Sequence, residues 1–244
     1  EKDGFLSFSD LGPEIRRGGR TIHLASAKRT KIEEALKPGD NVLVQIAKES
    51  IRDKGPSLTG KITLPGRFVI LMPYAQAIRM SRMLDSQERQ RIKELLEKES
   101  DFKGGLIFRT AAEGRNIREI QQDLGYLTRT WKRIREDFED GTDCKLIHRE
   151  IALFEKVLRD NFSANIAEIV IDHPRLKHRI VQFLKIIAPR SKPEELIKFH
   201  TRKDQSIWSA YNLTKDIDQL FSNHVRLKCG GYLIIEEMET LTAI

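Results

Sequence analysis

The clearest pattern of apolar positions is Ile117, Ile120, Leu124, Leu127, Trp131, Ile134 and Phe138, in steps of three and four. That spacing lays one stripe along a helix and predicts core packing for the stripe, Trp131 included. Asn116, with Glu119 three residues on, predicts a capping box at its start. Asp85 with Glu88 predicts a second box, starting a helix that turns Ile92, Leu95 and Leu96 inward. Between the two helices, "GGLIFRT" (104–110) reads as a buried strand delivering an arginine and a hydroxyl to a loop. Upstream, Val42 to Ile46, "SLTGKITL" (57–64) and "RFVILMP" (67–73) read as short strands, the last two split by the turn residues Pro65 and Gly66. Downstream, the pattern alternates. "NIAEIVIDHP" (165–174) is a strand ended by Pro174. A helix follows with Leu176, Ile180, Phe183, Leu184 and Ile187 inward. "ELIKFH" (195–200) is a strand, "IWSAYNLTKDIDQLF" (207–221) a helix, and 224–237 a hairpin across Gly230 and Gly231. The upstream short strands, with the loop before them, suggest a small barrel, of which the OB-fold is the commonest nucleic-acid binder, and strand–helix alternation after 160 implies an α/β layer. The fold class expected is α+β and multi-domain.

Composition adds the partner class. The chain has 244 residues, 39% hydrophobic and 32% charged, which suits one large domain or two to three small ones. No apolar run approaches the ~20 residues of a membrane span. No signal peptide follows Glu1, and the chain reads as a piece of a longer protein. Net charge is +7 with pI about 9.4, which favours polyanions: nucleic acid or an acidic membrane surface. Arg16, Arg17, Arg20, Lys28, Arg29 and Lys31 fall in a Gly-containing stretch that reads as a long basic loop on the small β domain. Cys144 and Cys229 lack a CxxC pattern and read as reduced structural thiols of a cytosolic protein. The absence of a P-loop, of GxSxG and of HExxH leaves NTPase, α/β-hydrolase and zincin readings unsupported.

Four places hold candidate chemistry. Arg109 offers a planar fork for two phosphate oxygens, Thr110 adds a donor, and the helix starting near Asn116 adds its positive end; the alternative is a solvated loop. Arg52, Lys54 and Lys61 surround a Gly-Pro turn, either reaching nucleic-acid phosphates or decorating a soluble hairpin. Phe5 is either a stacking platform for a base or a core residue. Asp172 ends a strand, where carboxylates can hold magnesium. No second carboxylate clusters with it, which leaves a turn and helix cap as the better reading.

"DGFLSFSDL", "VLVQIAKE…KGPSLTGKITLPGRFVILMP", "GLIFRTAAEG", "AEIVIDHP" and "HVRLKCGGYLIIEEMETLTAI" resemble, in this order, the N-terminal half of the ribonuclease E/G family. The resemblance implies a partial OB-fold RNA-binding domain over 1–60, a 5′-sensor α/β region over 61–156, a structural RNase H-like α/β subdomain over 157–220, and the start of a DNase-I-like catalytic domain over 221–244. It implies that Arg109 and Thr110 grip the 5′-monophosphate of an RNA, with Gly66 and Ile70 lining the same pocket. Phe5, Lys54 and Arg82 would contact RNA; Arg52 and Lys61 join them on the loop-tip pattern alone. At "RMSRML" the family often shows two adjacent arginines; here Met83 stands in place of the second. The family's catalytic magnesium is held by aspartates that follow "LTAI", and a cysteine pair further on shares a zinc between subunits. This chain alone is therefore expected to bind neither metal, to lack catalytic residues, and to be inactive. The implied parent is a cytoplasmic, magnesium-dependent, homo-oligomeric endoribonuclease of RNA processing and decay, acting on single-stranded RNA with a 5′-monophosphate. The rival expectation is a stand-alone RNA-binding adaptor.

Overall fold

The computed structural model describes residues 3–24, 32–50, 54–97, 104–141, 144–163, 165–188, 191–238 and 241–244. Lys28, Arg29, Lys31 and Arg52, singled out above, lie outside them. The chain forms two compact units, Glu1–Asn161 and Phe162–Ile244.

The first unit begins with β1 (Phe5–Leu6), β2 (Glu14–Arg17), β3 (Arg20–His23), β4 (Asn41–Val42), β5 (Gln45–Lys48) and β6 (Ser57–Thr59). It continues through β7 (Leu64–Pro65), β8 (Val69–Met72), β9 (Ile78–Met80), α1 (Ser86–Glu97), β10 (Gly105–Phe108), α2 (Ile117–Asp140) and α3 (Leu153–Asn161). Three sheets result, in the orders β1-β6-β5, β3-β2-β4 and β7-β8-β10-β9. Among the described residues no sheet closes into a barrel. Their strands are two to four residues long, with a register shift between Ile46 and Lys48.

The core lies between the four-stranded sheet and α2. Leu64, Val69, Leu71, Leu106 and Phe108 bury one face of the sheet against Ile120, Leu127 and Ile134 of the helix. Each such side chain contributes about 1.5–3 kcal/mol on burial. Trp131 packs at the margin, its ring edge-on to Tyr74 at 5.2 Å between centroids. The box at Asn116 forms in both directions: Asn116 Oδ1 accepts from Glu119 N–H (3.0 Å), and Glu119 Oε2 from Asn116 N–H (3.2 Å). Only half of the Asp85 box forms. Asp85 takes the Glu88 N–H (2.7 Å), but the Glu88 carboxylate turns to Arg91 and to the N–H of Gly114 (2.9 Å).

The described part of the stretch expected to be a basic loop is instead a hairpin, β2–β3, turning at Gly18 (φ 58°) and Gly19 (φ 77°). Two consecutive left-handed residues match the twist of a two-residue hairpin, which is why glycines stand there. Its charges hid the strand. Glu14, 5% exposed, accepts from Tyr74 Oη (2.9 Å) and Arg135 Nη1 (2.8 Å). Arg16 donates to the carbonyl of Phe138 (3.1 Å) and Arg17 to both oxygens of Asp40. Internal pairing lets charged side chains sit where an apolar alternation was sought.

The second unit runs β11 (Ile169–Ile171), α4 (Pro174–Ile187), α5 (Pro193–Leu196), β12 (Ile197–Phe199), α6 (Ile207–Ala210), α7 (Thr214–Leu220), β13 (His224–Arg226), β14 (Tyr232–Ile234), β15 (Glu236–Glu237) and β16 (Thr242–Ala243). β11 and β12 pair in parallel across α4, and β13–β14 form the expected hairpin with Gly230 at φ 93°. The helix expected over 207–221 is broken, because Asn212 adopts φ 58° between α6 and α7. Both units together make a mixed α+β chain, with seven α-helices and several small sheets among the described residues.

Candidate functional site

The site is built around the β7–β8 turn. Gly66 N–H donates to the carbonyl of Val69 (2.8 Å) and closes it. Asp123 grips it from α2, accepting the backbone N–H groups of Arg67 (3.0 Å), Phe68 (2.7 Å) and Val69 (3.1 Å). Burial pushes the Asp123 carboxyl above its ordinary range, against those three donors and the charge of Arg109, which pull it down. A Cβ on Gly66 would lie 2.5 Å from Asp123 Oδ2 and 2.7 Å from Oδ1. Gly66→Ala is therefore expected to push the carboxylate off the turn and to destabilise the protein by about 1–3 kcal/mol, the usual cost of overpacking. Denaturant unfolding of the variant measures it; an unchanged midpoint would show that the turn yields freely.

Arg109 leaves β10 beside this turn. Its N–H donates to the carbonyl of Phe68 (2.8 Å). Its Nη1 donates to the carbonyl of Gly66 (2.7 Å) and to Asp160 Oδ1 (2.6 Å). Asp160, on α3, also accepts from Arg159 Nε (3.0 Å) and Nη2 (3.3 Å), and Arg159 Nη1 donates to the carbonyl of Pro65 (2.9 Å). Burial alone would raise the Asp160 carboxyl; the hydrogen bonds and charges of Arg109 and Arg159 outweigh it and hold it down at about 2. Among the described residues no partner takes Nε or Nη2 of Arg109. That edge is the one that grips two oxygens of a phosphate at once.

Thr110 opens a single 3₁₀ turn, and its Oγ1 lies 2.8 Å from Ser81 Oγ. The strand pairing brings them together, since Met80 is the register partner of Phe108 and Ser81 N–H donates to the Phe108 carbonyl. Arg82 and Met83, next in sequence, are exposed. Ile70 is half-buried and pairs in register with Ile107, two residues before Arg109. Both stand on the sheet face opposite the one α2 covers. Two further guanidiniums flank the turn: those of Arg67 and Arg115 lie 4.9 and 5.7 Å from the Phe68 ring. The start of α2, expected to lend its positive end, is capped from within by Asn116 and Glu119. Of the four residues expected in the pocket, Gly66 and Arg109 touch, Thr110 adjoins Arg109 in the chain, and Ile70 shares the sheet face.

Three residues here escaped the sequence reading. Asp123 had a visible signal: it is a carboxylate three residues after Ile120 and four before Leu127, on the buried side of the stripe. Ser81 and Asp160 had none, because sheet pairing and the docking of α3 bring them in.

A second candidate surface lies on the β1-β6-β5 sheet. Phe5 is 70% exposed, so the core reading of this ring fails. Phe5 and Lys48 are both register partners of Ser57 and stand on one face, an aromatic and a cation together. Lys54 is exposed. Lys61 is exposed and pairs with Asp10 at 2.8 Å.

Asp172 is exposed, and the cap of α4 is His173, whose Nδ1 accepts from Arg175 N–H (3.3 Å), not the aspartate. Cys144 and Cys229 are exposed free thiols. Among the described residues no group of three or more His, Cys, Asp or Glu side chains is placed to hold a metal ion. No helix among them is long and apolar enough to cross a membrane.

The chain is similar to known proteins along its whole length. A sequence profile of the Ribonuclease E/G family matches residues 63–244. A protein named Ribonuclease E from Nostoc sp. is 36% identical over 245 residues, covering 100% of this chain and 34% of that protein. Ribonuclease E from Synechocystis sp. is 35% identical, with 100% of this chain and 35% of that protein covered. Ribonuclease G from Escherichia coli (strain K12) is 33% identical, with 100% and 49% covered. The chain thus spans between a third and a half of the length of these relatives.

Proposed function

The chain belongs to the ribonuclease E/G family, and on that premise we propose that it binds single-stranded RNA and senses a 5′-monophosphate, as part of a magnesium-dependent endoribonuclease of RNA processing and decay. The observation that carries this reading is the open Nε–Nη2 edge of Arg109, held beside the turn by Gly66 and Asp160.

A terminal phosphate dianion has the planar pair of oxygens that this edge fits. Thr110 supplies a further donor. Either hydroxyl of the Ser81–Thr110 pair can donate to the other; with Ser81 as the donor, the threonine proton is free for the ligand. A 5′-hydroxyl end offers the fork nothing to bind. A triphosphate brings further bulk and charge, and the reading takes selectivity against it to arise by exclusion. RNA leaving the site would follow cations and stack a base on Phe5, with Lys48, Lys54 and Arg82 meeting phosphates. The metal chemistry belongs to residues outside this set, and the roles assigned here are binding and orientation only. The reading also carries the family's homo-oligomeric assembly and cytoplasmic location.

The deciding experiment compares one short RNA sequence with a 5′-monophosphate, a 5′-hydroxyl and a 5′-triphosphate, measuring binding to the full-length protein. Tighter binding of the monophosphate than of both others supports the reading; equal binding of all three removes it. Phe5→Ala is expected to weaken all three RNAs alike by about 1–3 kcal/mol, the size of one base–aromatic stack. If only the monophosphate RNA weakens, Phe5 belongs to the end pocket and not to the strand path.

A further inference from the structure

An arginine on a loop loses rotamer freedom each time it grips a ligand, and affinity rises where that freedom is already gone. Arg109 is restrained in advance. Nη1 donates to acceptors on different elements, the Gly66 carbonyl of the turn and Asp160 Oδ1 of α3, with the Arg67 carbonyl at 3.5 Å. Two bonds from one nitrogen set the plane of the whole guanidinium. Asp160 is itself fixed. Arg159 binds both of its oxygens, is 8% exposed, and anchors to the Pro65 carbonyl. The line Pro65–Arg159–Asp160–Arg109–Gly66 therefore closes back on the turn from which it starts. It leaves the Nε–Nη2 edge of Arg109 as the side without a partner among the described residues.

We infer that Asp160 is a positioning residue for the 5′-phosphate site: it holds Arg109 with its bidentate edge outward, so that end recognition depends on the docking of α3. This rests on the function proposed above. Asp160 does not touch the phosphate in this arrangement; it acts through Arg109. The consequence is a coupling. The "GLIFRT" strand and the β7–β8 turn carry the contacts, but an acid some fifty residues further along the chain completes them (|i−j| = 51).

Two variants of the full-length protein test this. Asp160→Ala removes the acceptor, whereas Asp160→Asn keeps an oxygen at that position. The affinity ratio of 5′-monophosphate to 5′-hydroxyl RNA is expected to fall roughly tenfold in the alanine variant, the low end of what losing an orienting partner costs at metal sites. The asparagine variant should retain more of the ratio. A purely structural loss would weaken both RNAs together and leave the ratio in place. An unchanged ratio in the alanine variant overturns the inference, and so does a higher one, which would make Asp160 a competitor of the phosphate. A second measurement needs no RNA. Phenylglyoxal reacts with guanidinium nitrogens, and peptide mass analysis gives the rate at Arg109. That rate should rise several-fold in Asp160→Ala. If wild-type protein does not distinguish the two RNA ends, the functional reading fails on its own. The modification rate still decides whether Asp160 holds Arg109, and an equal rate in wild type and variant overturns that.

Discussion

Arg109→Ala is expected to abolish the preference for a 5′-monophosphate while leaving general RNA binding in place. A charge-assisted bidentate contact is worth about 1.5–3 kcal/mol, so the monophosphate RNA should lose roughly ten- to a hundredfold in affinity. Binding titrations with the 5′-monophosphate and 5′-hydroxyl RNAs measure the two sides of that difference. Arg109→Lys should resemble the alanine variant in selectivity. An ammonium is a point charge that lacks the planar fork, and it cannot span Gly66, Asp160 and a ligand together. The strand surface around Phe5 and Lys48 lies on another sheet and should keep its affinity for the 5′-hydroxyl RNA. A preference that survives Arg109→Ala would place the phosphate elsewhere.

Asp123→Ala is expected to have the largest effect on stability. Three backbone N–H groups of the β7–β8 turn donate to this carboxylate. Its removal strips a charged acceptor from each and leaves donors without partners in the interior. With about 1.5–3 kcal/mol for each bond to a charged group, partly offset by water entering the space, a net loss of about 3–5 kcal/mol follows. Denaturant unfolding gives the value. The monophosphate preference should fall with it, because the carbonyl of Gly66 that anchors Arg109 belongs to the same turn. A variant as stable as wild type would mean that strand pairing alone shapes the turn. Asp123→Asn should fall between the two, since it keeps an acceptor oxygen and loses the charge.

Much of the core was legible because helical spacing is a local property. The stripe from Ile117 to Phe138 and the box at Asn116 needed only neighbours in sequence, and both stand in the structure. The hairpin at Gly18–Gly19 was missed for the opposite reason. Its inward charges pair with Tyr74, Arg135 and the Phe138 carbonyl, far away in the chain. Arg109 and Thr110 were visible as a cation and a hydroxyl leaving an apolar run, but that pattern equally describes a solvated loop. Resemblance to a family, carried by five ordered segments, narrowed the reading to a 5′-phosphate.

What the sequence determined by itself is which residue types were on hand: a strand ending in Arg109 and Thr110, a glycine turn before "RFVILM", a capped helix with one apolar stripe, and a net positive charge. Tertiary structure alone decided which of them meet. β9 runs parallel to β10 and carries Ser81 to Thr110. α2 points Asp123 under the turn, and α3 sets Asp160 against Arg109. These contacts join residues 29 to 56 positions apart. Such pairs form only when sheet register and helix docking pay the loop-closure entropy, which no local spacing encodes.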